Sequence, residues 1–564
     1  MKEKLKVLSY YIILIAVAAI LCIPLLNKEA DIYYDDGVQH IARAFSTQTA
    51  LDNGESTKVL SNLTNGYGYS WNLFYGPLSS LGLVIVNWIM SSWINAYKVL
   101  LFICLFLSGF SMFKFVFRIT DDRNVAGLAG ILYMSMPYHL TDMYIRNALG
   151  EFISFIFFPL VFLGLYNIFH KDNRDYWLVI GAVGLILTHN LMTMLTVIFA
   201  FVYLIIYLPC LKDKEIRNRI IFSLIFILFL TSFFWVPMLE ATIHTNYKAF
   251  ESEGMTTKEK LLSFALKTKE LFVTEKDETY VFELGPHIWI MLCFAIPAIR
   301  VLDKQYKKEY ILFLFMSLFC IFASTKYFPW KHLNNSFYII QFPWRMLAFA
   351  NLFLAVVCSI NMGIIIKKFG FKDFIILSII TILYVASLKD LVPTTEIVKD
   401  IEDFNVGIIY GKQNEVIAGM GKGEYLPTLA DKNRFDIAVR EDTVLVIDGK
   451  GKVANVKKDG AHLTCELTTL EDDTIYEFPY VYYPGYTITI DGHRIGYFES
   501  EDGLVAIGLN KAAKYDVEIE FTETSLTKMT SLFSIVTLVA YGICVYMNLK
   551  PEKEEEKVEI KEEN

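Results

Sequence analysis

Residues 152 to 169 read FISFIFFPLVFLGLYNIF, and this stretch decides the fold class. No charge interrupts it. Its 18 residues, wound at about 1.5 Å per residue, make a helix of roughly 27 Å, close to the ~30 Å hydrocarbon thickness of a bilayer. Apolar runs of similar texture lie on both sides, near 8 to 26, 97 to 117, 124 to 138, 176 to 188, 191 to 209, 219 to 237, 287 to 302, 309 to 323, 345 to 366, 373 to 388 and 528 to 549. The pattern predicts a polytopic α-helical membrane protein with about twelve transmembrane helices. Composition agrees, since 54% of the 564 residues are hydrophobic, 15% are aromatic and the mean hydropathy is +0.40. A wholly water-soluble protein is excluded.

The net charge of -8 comes with an acidic terminal run, Glu552 to Glu563, and nothing in the chain is basic enough for nucleic acid. Seven of the eight cysteines lie in apolar segments and Cys465 stands alone in a polar one, so no disulfide framework is expected. The first run, Leu8 to Leu26, follows Lys2, Lys4 and Lys6 but ends in Pro24-Leu25-Leu26 rather than in small residues. It reads as an uncleaved span. Residues 76 to 94 (GPLSSLGLVIVNWIMSSWI) are apolar too, and charge parity argues that they stay outside as a tilted or re-entrant helix. In that arrangement Lys114/Arg118/Arg123, Lys171/Arg174, Lys212/Lys214/Arg217/Arg219, Arg300/Lys304/Lys307/Lys308 and Lys367/Lys368/Lys372 all fall on the cytoplasmic side with the N-terminus.

This topology leaves short cytoplasmic loops without a Walker sequence or a GxGxxG turn. The chemistry is expected outside, in loops 27–96, 138–151, 238–286 and 324–344 and in a large region at 389–527. That region carries four Asp-Gly pairs (448–449, 459–460, 491–492, 502–503) between alternating runs such as Tyr515 to Phe521, which predicts hairpins and a small β-sandwich. The turn Asp491-Gly492-His493-Arg494 reads as solvated surface. The expected organisation is a transmembrane domain over 1–388, the β-rich domain, a final helix at 528–549 and a disordered acidic tail at 550–564.

Loop 27–96 opens with Asp31-Ile-Tyr-Tyr-Asp35-Asp36-Gly-Val-Gln-His40-Ile-Ala-Arg43. A helix starting at Asp36 places Asp36 and His40 on one face and makes Asp36 its N-cap. Cap plus interfacial polar residues is one reading. The other is that adjacent acids beside a low-dielectric boundary suit a general base or a divalent metal site. The stretch from Asn65 to Pro77, with Trp71 and Tyr75, fits an interfacial aromatic belt or carbohydrate stacking. Asp142 and Arg146 are spaced as a helix ion pair. His189-Asn190 interrupts an apolar stretch, as a site or as a polar turn. Arg345, after Gln341-Phe-Pro-Trp344, suits a lipid phosphate or an interfacial anchor.

Taken in order, Asp36-x-x-x-His40-x-x-Arg43, Gly66-Tyr-Gly-Tyr through Phe74-Tyr75-x-Pro77-Leu78, Tyr144-x-Arg146-x-Ala148-x-x-Glu151, His189-Asn190, Gln341-Phe-Pro-Trp-Arg345, Glu424-Tyr-Leu-Pro427 and Tyr483-Pro-Gly485 give the chain its resemblance to a known family. It resembles the bacterial integral membrane proteins related to 6-pyruvoyl-tetrahydropterin synthase and the YfhO-like proteins, which look like GT-C glycosyltransferases. No soluble pterin enzyme with a histidine-rich zinc site is visible. The resemblance implies transfer of a sugar from a polyprenyl-phosphate donor to an extracytoplasmic cell-envelope acceptor such as teichoic acid, polysaccharide or glycolipid. It implies Asp36 as catalytic acid/base, with Asp35 as competitor, and His40, Arg43, Tyr75, Arg146, Glu151, His189, Asn190, Gln341 and Arg345 in substrate binding. A divalent cation, Mg or Mn, at Asp35 and Asp36 stays open, since the sequence has no Asp-x-Asp triplet. The competing expectations are a transporter or flippase for lipid-linked glycans, with ionisable groups near the bilayer midplane, and a non-catalytic assembly factor.

Overall fold

The computed structural model describes residues 2–27, 35–251, 256–274, 280–366, 368–388 and 423–549. Asp31 to Tyr34, the first part of the predicted β region (389–422) and the acidic tail (550–564) lie outside the described residues.

Helices form where the apolar runs predict them. The first half holds α1 (Lys2–Leu21), α2 (Gly37–Asp52), α3 (Trp71–Phe74), α4 (Leu78–Met90), α5 (Trp93–Thr120), α6 (Arg123–Ser135), α7 (Pro137–Tyr144), α8 (Leu149–Phe169), α9 (Tyr176–Ile186) and α10 (Asn190–Ile205). The second half holds α11 (Lys214–Leu230), α12 (Ser232–His244), α13 (Lys258–Ser263), α14 (Pro286–Cys293), α15 (Ala295–Val301), α16 (Lys307–Ser324), α17 (Met346–Ile365), α18 (Phe371–Ser387) and a last helix, Ser525–Leu549. Side chains close several helix starts: Asp122 accepts from the backbone N–H of Asn124 and Val125, and Asp213 from that of Glu215.

Of the expected twelve spans, a smaller number is shown. Among the described residues four helices are long and apolar enough to cross a membrane, Trp93–Thr120, Leu149–Phe169, Pro343–Ile365 and Ser525–Leu549, or five if α11 and α12, bent by 64°, form one broken span. The remaining apolar helices fall short for identifiable reasons. Helices α9 and α10 are separated at His189, α14 and α15 are split at Phe294, and α16 spends its first turn on Lys307, Lys308 and Glu309. The questioned segment 76–94 contributes α4, whose 13 residues rise only about 20 Å.

Helices α8 and α17 are the centre of the bundle: 94% of the apolar stretch of α8 is buried, against 11% of the last helix, which packs on α11 and α12 and turns the rest of its surface outward. Close approach explains the small residues: a Cβ at Gly130 of α6 would sit 2.7 Å from the Gly109 carbonyl oxygen of α5. At the bend between α11 and α12, Ser534 of the last helix donates to the freed Phe229 carbonyl (2.9 Å) and accepts from the Phe233 N–H (3.2 Å).

The C-terminal region forms two antiparallel sheets. One orders β1 (Leu445–Asp448), β4 (Thr474–Val481), β8 (Leu504–Leu509) and β7 (Phe498–Glu499). The other orders β2 (Gly451–Asp459), β3 (His462–Thr469), β9 (Lys514–Phe521), β5 (Tyr486–Ile490) and β6 (His493–Ile495). Strand β9 alternates as expected, with Val517, Ile519 and Phe521 buried. Three of the four Asp-Gly pairs lie in hairpin connections. Asp491 and Gly492, at φ +51° and +81°, make the two-residue turn between β5 and β6. The pair 448–449 instead links β1 to β2, strands of different sheets.

The aromatic stretch 65–75 is neither an interfacial belt nor an open sugar platform. Tyr67 and Tyr69 are fully buried where the helical and β regions meet. Tyr67 donates its hydroxyl to the Glu441 carbonyl (2.8 Å), and its own carbonyl accepts from the Val481 N–H (2.7 Å). Lys458 reaches across to the carbonyl of Gly66 (2.7 Å), and Glu55 accepts from the Ala461 N–H (3.1 Å). These bonds dock the β region onto loop 53–75.

Candidate functional site

Five buried side chains interlock where α7 ends, α8 begins and α17 is entered. Asp142 and Arg146, four apart, form the expected pair, with Arg146 Nη1 2.5 Å from Asp142 Oδ1. They are not alone. The same nitrogen donates to Glu151 Oε2 (3.0 Å) and to the Tyr138 hydroxyl (3.2 Å), while Tyr138 donates to Glu151 Oε1 (2.6 Å). From almost two hundred residues further along the chain, Arg345 Nε donates to Glu151 Oε2 (3.1 Å). Its Nη1 is held by Gln341 Oε1 (2.7 Å) and the Ile340 carbonyl (3.0 Å).

Gln341 adopts φ +63°, and the tight turn from Pro343 to Arg345 leads into α17. Phe342 lies under both guanidinium groups, 4.8 Å from Arg345 and 5.8 Å from Arg146. Two arginines thus share one carboxylate. Among the described residues, Arg345 Nη2 and Arg146 Nε and Nη2 make no hydrogen bond, so each guanidinium keeps a donor uncommitted.

Asp36 is joined to this cluster through the backbone. Its N–H donates to the Arg146 carbonyl (3.1 Å), which sets the start of α2 beside the end of α7. Asp36 does occupy the position before the helix, but its side chain makes no capping bond, contrary to expectation. The half-buried carboxylate is left unbonded among the described residues, within electrostatic reach of Arg146 and Tyr75. Asp35 differs: it is exposed, adopts φ +49° and accepts from the Tyr280 hydroxyl (3.0 Å). Among the described residues no three His, Cys, Asp or Glu side chains gather into a metal-holding set. Asp35 and Asp36 thus bring two carboxylates, without a third such ligand among the described residues to complete a set for Mg or Mn.

His40 and Arg43 are buried one and two turns into α2. His40 shares a face with Asp36, but no hydrogen bond joins its ring to that carboxylate. Burial, reinforced by Arg43 and His189, holds its imidazole neutral, well below the usual histidine range. Arg43 lies flat on the Trp71 ring, 3.0 Å from its centroid, and Tyr75 stacks on the same indole at 4.3 Å. Trp71 is therefore packed against protein groups. Tyr75 also meets His189 edge-on at 5.5 Å. His189 Nδ1 accepts from the Met192 N–H (3.3 Å) and caps α10, while Asn190 donates to the Phe74 carbonyl (2.7 Å). His189 is thus both a polar turn and a wall of the site, and Asn190 is a tether between α3 and α10.

All the expected site residues meet here except Asp35, which stands at the rim, and Asn190, whose amide is spent on the backbone. Sequence reasoning missed Tyr138 and left Asp142 as a local pair only. It also gave no place to Glu424 and Tyr425, which arrive from the start of the β region. Tyr425 stacks on Phe74 at 5.2 Å and leans on Trp71 at 5.3 Å. The Glu424-Tyr-Leu-Pro427 motif was legible, but its destination was not.

Comparison with known proteins matches this assembly in part and in whole. A protein of Lactococcus lactis subsp. cremoris (strain MG1363) described as "Uncharacterized protein" is 25% identical over 586 aligned positions, which cover 94% of each chain. The family described as "6-pyruvoyl-tetrahydropterin synthase related domain; membrane protein" matches residues 73–398. That range contains Tyr75, Arg146, Glu151, His189 and Arg345 and leaves Asp36, His40, Arg43 and the two sheets outside. Matched over more than half its length, with the buried two-arginine cluster inside the matched part, the chain belongs to this family of membrane proteins.

Proposed function

We propose that the chain is a GT-C-type glycosyltransferase that moves a sugar from a polyprenyl-phosphate donor to a hydroxyl of a cell-envelope acceptor, at the outer face of a bacterial membrane. The observation that carries the reading is the pair Arg146 and Arg345, braced by a shared Glu151 with donors to spare, next to the unbonded Asp36 carboxylate. Guanidinium groups with fixed geometry suit a phosphate, and a neighbouring acceptor-only carboxylate suits a proton to be removed. A lipid-linked donor suits a site at the end of membrane helices, and the Lys and Arg clusters then face the cytoplasm by the positive-inside rule.

In this reading Asp36 takes the proton of the acceptor hydroxyl as its oxygen attacks the anomeric carbon. The bond from that carbon to the phosphate oxygen breaks and its electron pair stays on the phosphate, where the free N–H groups of Arg146 and Arg345 stabilise the added charge. No step passes through a metal. Neutral His40 and Tyr75 line the path without adding charge. Asp35, exposed and bonded to Tyr280, is bystander to the reaction.

The test is transfer of radiolabelled sugar from polyprenyl-phosphate glycans to envelope polymers in membranes carrying wild type, Asp36→Asn or Asp35→Asn, each shown to be folded. Loss of a general base costs about 10²- to 10⁴-fold, so Asp36→Asn is expected to fall by that factor and Asp35→Asn by less than about 5-fold. Equal transfer by all three proteins would move the reading to a transporter or assembly factor.

A further inference from the structure

We infer that Glu424, carried by the arm that leads into the β region, holds a hydroxyl of a sugar bound in the candidate site. The inference rests on the transferase reading and adds to it a residue that selects the sugar.

The arm is fixed from several directions. The Tyr425 N–H donates to the Tyr69 hydroxyl (3.1 Å), the Ala249 N–H to the Glu424 carbonyl (2.8 Å) and the Lys248 N–H to the Leu426 carbonyl (3.2 Å). Tyr483 donates to the Tyr425 carbonyl (3.1 Å), and Tyr247 bridges to Pro427. Gly423, at φ +74°, turns the chain just before Glu424. With the backbone pinned and the Tyr425 ring stacked on Phe74, the Glu424 carboxylate lies within electrostatic reach of Arg43 and Tyr69.

Glu424 Oε2 is enclosed and has no hydrogen-bond partner. Enclosed carboxylate oxygens without a donor are rare in folded proteins, and a site that needs its ligand to complete it explains one. The donors that fit are neutral and oriented, which a sugar hydroxyl provides. A phosphate does not fit, because like charge repels it here and the Arg146–Arg345 pair attracts it elsewhere. The same hydroxyl chemistry is offered by the sugar on the donor lipid and by a sugar on the acceptor.

The test measures binding to the full chain in nanodiscs, with three probes: polyprenyl-phosphate glucose, polyprenyl phosphate without sugar, and methyl glucoside. Wild type, Glu424→Gln and Arg345→Gln are compared. The expected result is that Glu424→Gln weakens the glucose-bearing lipid at least 10-fold and changes the sugar-free lipid less than 2-fold, while Arg345→Gln weakens both lipids alike. A loss confined to methyl glucoside would assign the same hydroxyl contact to the acceptor. Equal weakening of both lipids by Glu424→Gln, or no change with any probe, would overturn the inference while leaving the arginine reading intact. If wild type and Arg345→Gln bind neither lipid, the transferase reading falls and this inference with it. Should Glu424→Gln fail to fold, hydrogen exchange on the wild type decides: amides 423–427 slow with the glucose-bearing lipid and not with the sugar-free one, and equal exchange with both would overturn the assignment.

Discussion

Two polar groups of residues share one end of the helical bundle and are built on opposite principles. In the cluster of Tyr138, Asp142, Arg146, Glu151 and Arg345 every member is bonded to another member, in some cases twice. Around it stand Asp36, His40 and Glu424, whose side chains make no hydrogen bond among the described residues although they are half-buried or buried. Buried charge is tolerated when it is paired, so the first group is a frame that can be stable without a ligand. Unbonded polar groups at the same depth cost stability and are kept where a ligand or a proton uses them. The frame holds positions and keeps only the spare donors of Arg146 and Arg345 and the Asp142 Oδ2 oxygen unbonded, whereas the side chains of the ring are unbonded altogether among the described residues.

That contrast is most open to attack at Glu151. Changing Glu151→Ala leaves two buried arginines without their common partner and is expected to cost ~3–5 kcal/mol of stability, against less than about 0.5 kcal/mol for Asp36→Asn. Thermal unfolding of the purified protein in detergent compares the two directly. Similar losses in both variants would erase the distinction between frame and ring.

A smaller effect tests whether the ring depends on how loop 71–78 is seated. A Cβ at Gly76 would lie 2.4 Å from the Leu187 carbonyl carbon and oxygen and 2.5 Å from the Thr188 nitrogen, all backbone atoms that cannot step aside. Gly76→Ala is expected to cost ~1–3 kcal/mol and to separate Tyr75 from His189, with transfer reduced more than folding. Gly82→Ala is the control: its nearest neighbour would be Leu100 Cδ1 at 3.9 Å, and no loss is expected. Equal behaviour of the two alanine variants would show that the loop is not clamped.

The finest distinction is one of pH. Because the folded protein keeps His40 neutral below the usual range, the unfolded chain takes up that proton first as the solution is acidified. Stability is therefore independent of His40 above about pH 6.5 and declines below it, by at most about 1.4 kcal/mol per pH unit. His40→Asn should flatten that part of the stability profile between pH 6.5 and 5. An unchanged slope would mean that His40 takes its proton in the folded state as readily as in the unfolded one.

Several features of the site could be read directly from the sequence. Arg146 and Asp142 were paired by spacing, Asp36 was placed before a helix, and His189 was marked by its polarity within an apolar run. What could not be read was which groups would be consumed by the frame. Asn190 and Gln341 carry the same amide chemistry, yet one binds a backbone carbonyl of α3 and the other braces Arg345, and both outcomes depend on segments distant along the chain. The aromatic stretch misled for a related reason: Tyr67 and Tyr69 are buried by the β region, a neighbour that local composition does not reveal.

By itself the sequence determined that this is a helical membrane protein with a β region near its end, because apolar length and strand alternation are local properties that the solvent reads residue by residue. It also placed the start of α2 after Asp36, though without the expected capping bond, and the turns of three hairpins, since Asp-Gly turns act over a few residues. Only the tertiary structure decided how many helices are long enough to cross, because breaks at His189, Phe294 and Thr231 divide runs that hydropathy alone leaves whole. It alone joined Glu151 to Arg345 and brought Glu424 beside Arg43, since contacts between distant segments are set by how the helices and sheets pack against one another and not by any window of the chain.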